Sequence, residues 1–197
     1  MFIISAPSGA GKTTLCNRIV RKVPDLRQSV SFTTRQPRRG EVNDRDYTFI
    51  SEPEFRSMAG AGDFVEWAVV HGNFYGTSRR RLEGILQDGF DVLLDIDTQG
   101  ARQVRDSCSG GAYVFILPPS METLRGRLEK RGSNTRADME RRLARAVEEI
   151  RDYSMFDYVI VNDVLKDAVR SLESVITAER LKSGRVDKVW LEKNFLG

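Results

Sequence analysis

Short, nearly continuous apolar runs alternate along this chain with longer stretches in which apolar positions recur every three or four residues. FIISA (2–6), DVLLDID (91–97), AYVFIL (112–117) and YVIVN (158–162) are brief and rich in β-formers. That is the form expected of strands buried on both faces of a parallel sheet. Between them, helical spacing links Leu15, Cys16, Ile19, Val20 and Val23, then Leu82, Ile85 and Leu86, then Met121, Leu124 and Leu128. It continues through Met139, Leu143, Val147 and Ile150, and again through Leu165, Val169, Leu172 and Ile176. Alternating strands and helices predict an α/β fold, a parallel-sheet core with helices on both faces. The stretch 29–78 breaks this rhythm: SVSFTT, YTFIS, FVEWAVV and NFYGTS are strand-like, and only EPEFRSMAG (52–60) looks helical. A mostly β insertion on the core is expected there.

Composition narrows the class. The chain of 197 residues, 40% hydrophobic and 30% charged, is long enough for one domain with a sizeable core. No apolar run is long enough to span a bilayer, and FIISA lacks the basic start and length of a secretory signal. A cytoplasmic protein with no membrane partner is expected. Cys16 and Cys108, the two cysteines, have no metal-ligand spacing and read as free thiols. A net charge of +3, from 31 basic and 28 acidic residues, is too even to call for nucleic acid. Bound phosphate groups are the smaller claim.

APSGAGKTT (6–14) supplies a place for them. It is close to G-x-x-x-x-G-K-[ST] and lies between a predicted strand and a predicted helix, the context this loop requires. Small residues let successive backbone N–H groups turn onto phosphate oxygens, and the helix presents its positive N-terminus. Ala6, Pro7, Ser8, Gly9, Ala10, Gly11, Lys12, Thr13 and Thr14 therefore form a candidate loop for the phosphates of a Mg-nucleotide, which the resemblance described below implies is ATP-Mg. Lys12 is expected to reach the β- and γ-phosphates, and the Thr13 hydroxyl to ligate Mg²⁺. Ala6 stands where the pattern has its first glycine, which is tolerable if that position needs no positive φ.

A second charged segment, TTRQPRRGE (33–41), places Arg35, Arg38 and Arg39 beside a proline and a glycine that bend the chain. Extended to SFTTRQPRRGEVNDRDYTF (31–49), it resembles the guanylate kinase signature T-[ST]-R-x-x-[KR]-x-x-[DE]-x-x-G-x-x-Y-x-[FY]. Thr33, Thr34, Arg35, Arg38, Glu41, Tyr47 and Phe49 fit, and Asp44 replaces the usual glycine. Similarity continues through FVEWAVVHGNFYGTS (64–78), LLDIDTQGA (93–101), FILPPS (115–120), RLEKRG (127–132) and VND (161–163).

The resemblance implies transfer of the γ-phosphate of ATP to GMP, with dGMP also accepted because no residue obviously reads the 2′-hydroxyl. It implies a core from 1–30, 79–126 and 148–197, a GMP-binding lobe from 31–78 and a small helical lid from 127–147. Arg35, Arg38, Tyr47 and Tyr75 match residues that hold the GMP phosphate, for which two guanidiniums and two phenols are suited donors. Ser31, Glu66, Thr77 and Asp97, with Gly76 between the strand residues, match the guanine site. One carboxylate can accept both guanine N1–H and the 2-amino group, whereas adenine turns a lone pair toward it, so Glu66 is expected to select the base. Lid arginines Arg131 and Arg142 are expected to join Lys12 and Arg38 in catalysis, with Arg127 a weaker match. Asp95 is assigned to the metal shell, and Asn162 and Asp163 to the adenine side. A silent binding module would degrade the ATP loop, yet Lys12 and Thr13 are present. The mechanism has no need of His71, and the sequence does not decide whether Trp190 and Phe195 in the tail dock on the body or on a partner.

Overall fold

A five-stranded sheet in the order β2-β7-β1-β8-β9 forms the base of the molecule. Its strands are β1 (Phe2–Ser5), β2 (Leu26–Gln28), β7 (Asp91–Asp95), β8 (Ala112–Leu117) and β9 (Tyr158–Val161). The structure is a computed structural model that describes residues 1–70, 72–108, 110–130 and 135–197. Every pairing in this sheet is parallel, with Ile4 level with Asp95 on one side and with Val114 on the other. Parallel strands need crossover connections, and helices supply them.

On one face, α1 (Lys12–Lys22) and α7 (Leu165–Arg180) pack onto Phe2 and Ile4 through Leu15, Cys16, Ile19, Leu172 and Ile176. On the other, α3 (Arg79–Gln87) and α4 (Thr98–Ser107) pack onto Ile3, Val92 and Leu94 through Leu82, Ala101 and Val104. Successive residues of β1 thus enter different cores, which is why that run is continuously apolar. The last strand departs from the expectation of burial on both faces. β9 is an edge strand, and Val159 and Val161 are exposed while Ile160 is buried. β2, a three-residue strand on the opposite edge, carries too little apolar pattern to be predicted.

The insertion is a second sheet in the order β4-β3-β6-β5, built from β3 (Phe32–Thr33), β4 (Thr48–Phe49), β5 (Phe64–Val70) and β6 (Asn73–Ser78). Helix α2 (Glu52–Gly60) inserts Phe55, which stacks on Phe64 with ring centroids 4.5 Å apart. Ser51 caps α2 by accepting from Glu54 N at 3.3 Å, satisfying one of the orphan amides of a helix start. A register shift between Phe64 and Glu66 interrupts the β5–β6 ladder. It breaks strict alternation, so that Val65 and Glu66 are both buried, Val65 in the core and Glu66 toward the cleft described below. Such a bulge re-aims a side chain.

Helices α5 (Met121–Lys130) and α6 (Arg136–Arg151) close on each other through Leu124, Leu128, Met139, Leu143 and Ala146. Thr135 caps α6, accepting from Asp138 N at 3.2 Å. The tail does not enter the core: the rings of Trp190 and Phe195 meet edge to face with centroids 5.3 Å apart and remain 52% and 68% exposed.

Candidate functional site

The carboxyl ends of β1 and β7 open side by side, the place where α/β sheets bind ligands. Residues 6–11 leave β1, and Gly11, at φ 94°, starts α1. A β-carbon there would meet Asn162 Nδ2 at 2.5 Å, so glycine is required both by backbone and by space. Asp25 and Asp44 are the positive-φ non-glycine residues among those described, so Ala6 carries its β-carbon without that strain. The loop is propped from behind. Asn162 Nδ2 donates to Ala10 O at 2.8 Å, and Arg127 donates to Ala10 O at 3.2 Å and to Asn162 O at 2.8 Å. Arg127 thereby serves the loop's carbonyl side. Asp163, the residue after Asn162, is exposed.

Lys12 Nζ pairs with Asp95 Oδ1 at 2.8 Å and donates to Ile96 O. Burial alone would lower the Lys12 pKa, but the charge and hydrogen bond of Asp95 outweigh it and the net direction is upward. Lys12 is thus a fixed cation at the mouth of the loop. From α6, Arg142 Nη2 donates to Ser8 Oγ at 2.8 Å. Arg131 lies outside the described residues, as does His71.

Across the cleft, Arg35 is held in a fork. Its Nη1 and Nη2 donate to the two carboxylate oxygens of Glu41 at 2.9 and 3.0 Å, and its Nε donates to the Tyr75 hydroxyl at 3.2 Å. Partial burial opposes the charge on Arg35, yet the bonds to Glu41 and Tyr75 hold its pKa above the ordinary value. Glu41 also accepts from Arg38 N at 2.6 Å, which fixes the bend around Pro37 while the Arg38 side chain stays exposed. The rings of Tyr47 and Tyr75 meet edge to face at 5.9 Å. Burial pushes the Tyr47 hydroxyl up to about 12, which keeps it a neutral donor. Asp44, at φ 59°, accepts from Thr48 Oγ1 at 2.7 Å and from Arg81 Nη2 at 3.1 Å. A left-handed aspartate is one of the residues a tight turn tolerates. The substitution for glycine leaves the turn that carries Tyr47 intact.

At the inner end, Glu66 is 4% exposed and its Oε1 accepts from Thr77 Oγ1 at 2.6 Å. Burial raises its pKa to about 7, with Asp97 adding to the rise and the Thr77 bond opposing it. Asp97 caps α4 by accepting from Gly100 N at 2.9 Å. Gln103 pins β5 to α4 through Trp67, accepting from its N–H at 3.1 Å and donating to its carbonyl at 2.8 Å. Both ends open into one cleft of about 300 Å³, lined by Ala6, Pro7, Ser8, Gly9, Gly11, Lys12 and Thr13 and by Ser31, Arg35, Arg38, Tyr47, Glu66, Tyr75, Asp95 and Asp97. Gly76 and Thr77 are buried behind that wall. Arg145 and Glu149 of α6 line the cleft as well. Their four-residue spacing looks in the sequence like any surface helix pair. A larger groove of about 920 Å³, lined by Val30, Phe32, Met58, Arg79, Arg80, Arg81 and Ile85 among others, contains none of the phosphate-loop residues. We assign the chemistry to the smaller cleft because Lys12, the loop 6–13, Arg35, Arg38, Tyr47 and Tyr75 converge there.

Comparison with known proteins agrees with this geometry. A family model described as Guanylate kinase matches residues 1–179. The guanylate kinase of Geobacter metallireducens is 54% identical over 197 residues, covering 100% of this chain and 97% of that protein. The guanylate kinase of Geobacter sulfurreducens is 53% identical, covering 94% of this chain and 92% of that protein. The crystal structure of guanylate kinase from Anaplasma phagocytophilum superposes with a TM-score of 0.79 at 33% identity, covering 99% of this chain and 94% of that chain.

Proposed function

Because the chain belongs to the guanylate kinase family and is therefore an enzyme of phosphoryl transfer to GMP, we propose that ATP is the donor and that dGMP also serves as acceptor. The observation that carries this reading is the opening of a phosphate loop and a second phosphate nest into one cleft, with a buried carboxylate at its inner end. ATP lies with its phosphates on residues 6–14, under the N-terminus of α1, and with its adenine toward Asn162 and Asp163. GMP lies with its phosphate on Arg35, Arg38, Tyr47 and Tyr75, and with its base against Ser31, Glu66, Thr77 and Asp97. The same reading puts the reaction in the cytoplasm, in purine nucleotide metabolism.

Phosphoryl transfer needs in-line positioning and positive charge that follows the moving group, with little covalent chemistry from the protein. Lys12 supplies charge on the donor side, Arg38 on the acceptor side, and Arg142 from α6 above Ser8. Arg131 joins them in this reading. Arg35 is clamped by Glu41 and Tyr75 before substrate arrives, so little ordering remains to be done on binding. Ionised Glu66 accepts guanine N1–H and the 2-amino group together, which leaves adenine facing an acceptor with no proton to give it.

The donor set fits a hard divalent cation that arrives with the nucleotide. Thr13 and Asp95 bring a hydroxyl and a carboxylate to the same cleft, and among the described residues no group of three His, Cys, Asp or Glu could hold a metal alone. Phosphate and water oxygens would complete the octahedral shell that Mg²⁺ prefers. When bound, Mg²⁺ neutralises charge on the transferring phosphates.

The test is ADP release with ATP-Mg²⁺ against GMP, dGMP, AMP, UMP and CMP, repeated with GTP as donor. Turnover with GMP and dGMP but not with the other bases is expected. Equal rates with AMP and GMP would refute the role of Glu66, and a preference for GTP would refute the donor assignment.

A further inference from the structure

Arg145 stands between the two substrate sites, and the phosphoryl-transfer roles assigned above make no use of it. Its Nη2 lies 3.5 Å from Asp97 Oδ2, and its Nε donates to Glu149 Oε1 at 3.0 Å. All three side chains are largely withdrawn from water, at 31%, 17% and 11% exposure. Asp97 belongs to the acceptor end of the cleft and caps α4. Glu149 faces the Ser8 peptide N–H of the donor loop, and Arg142, one turn earlier on α6, donates to the Ser8 hydroxyl. A continuous polar path thus runs from the acceptor base site, through one arginine of α6, to the donor loop.

Two features separate this path from an ordinary helix-surface pair. Asp97 comes from a different segment, so the Arg145–Asp97 contact exists only while α6 is seated over the cleft. Glu149 Oε2 is buried without a hydrogen bond, and a buried acceptor left in that state is costly. A small approach of α6 to the loop would bring the Ser8 N–H to it.

We propose that Arg145 is a positioning residue that couples the two substrate sites, by making the seating of α6 on the donor loop and the occupancy of the acceptor base site favour each other. This rests on the reading that GMP places its base at Glu66 and Asp97. A base in that position displaces water from around Asp97 and strengthens its attraction to Arg145. Donor phosphates on residues 6–14 order Ser8, the other end of the path. Each nucleotide then stabilises the same position of α6, and linkage requires the effect to be equal in both directions.

The experiment is calorimetric titration of GMP into the protein with and without a non-hydrolysable ATP analogue and Mg²⁺, and the reverse titration. In the unmodified protein, each nucleotide is expected to tighten the other by the same factor, at least about fivefold, the lower end of usual couplings. Arg145→Ala and Arg145→Gln should bring that factor to within about twofold of unity. Arg145→Lys, which keeps the charge but not the two-carboxylate fork, should retain part of it. Glu149→Gln should match Arg145→Ala. Circular dichroism melting identifies any variant that is not folded, and the remaining Arg145 variants then carry the comparison. The coupling role is overturned, with the functional reading intact, if GMP binds but independently of the analogue, or if Arg145→Ala and Arg145→Gln keep the full factor. Failure of GMP to bind the unmodified protein, or GMP affinity unchanged by Glu66→Gln, overturns both.

Discussion

Glu66→Gln should make the protein more stable and a worse enzyme, and the two effects have different pH signatures. Burial is the main reason that the Glu66 pKa rises from 4.5 to about 7. The unfolded chain ionises this group near its ordinary value, whereas the folded chain resists ionisation. The folded-state advantage of the protonated form is therefore complete below pH 4.5 and is lost as pH rises to about 7. At about 1.4 kcal/mol per pH unit, the interval amounts to about 3 kcal/mol of stability missing above pH 7. Glutamine is nearly isosteric, can still accept from Thr77 Oγ1, and has no charge to desolvate. For a chain of this size, about 3 kcal/mol corresponds to roughly 6–12 °C in Tm. Melting curves from pH 4.5 to pH 8 should therefore show the variant equal to the parent at the acid end and higher by several degrees at the alkaline end. In coupled assays at pH 8 the same variant should raise KM for GMP on the order of 10- to 100-fold, since its amide turns a donor toward a guanine donor and one charged hydrogen bond is lost. A Tm difference that stays flat across this range would refute the electrostatic account of the site. An unchanged KM would refute its contact with the base.

Two further outcomes test the ends of the cleft. Arg38→Ala should reduce kcat/KM for GMP by a factor of order 100 or more, the loss of a charge-assisted phosphate contact that grows in the transition state, whereas Arg39→Ala, the exposed neighbour, should stay within about twofold in the same steady-state assay. Asn162→Ala removes one of the two donors that prop Ala10 O, leaving Arg127 as the other, and should lower stability by about 0.5–1.5 kcal/mol, read by urea unfolding, while raising KM for ATP more than KM for GMP.

The sequence reached furthest where one residue type at one spacing has one physical use. The loop 6–14 needs small residues, a lysine and a hydroxyl between a strand and a helix, and the structure assembles them at the strand end as expected. The α/β core followed from periodicity for the same reason. Legibility failed where the deciding neighbour comes from a distant segment. Nothing in YVIV says that no strand lies beyond it, so the exposure of Val159 and Val161 follows only from the strand order. Arg127 reads as one more helix cation until Ala10 and Asn162 are found beneath it. Arg145 and Glu149 are legible as a local pair, and Asp97, on which their position in the cleft depends, is far away in the chain. The bulge between Phe64 and Glu66 leaves no mark in FVEWAVV, although it turns the Glu66 carboxylate toward the cleft.

The amide of Gly100, which Asp97 caps, also bears on how the enzyme's choice of base could drift. A β-carbon built on Gly100 would press directly on Glu66 Oε2. On the proposed role of Glu66, purine choice can therefore be disturbed at a residue that does not line the cleft. A single methyl group acquired there would push that oxygen off its line while leaving every side chain of the cleft chemically unaltered. An inventory of cleft side chains would look intact in such a descendant, and the lost discrimination would trace to space that had been filled.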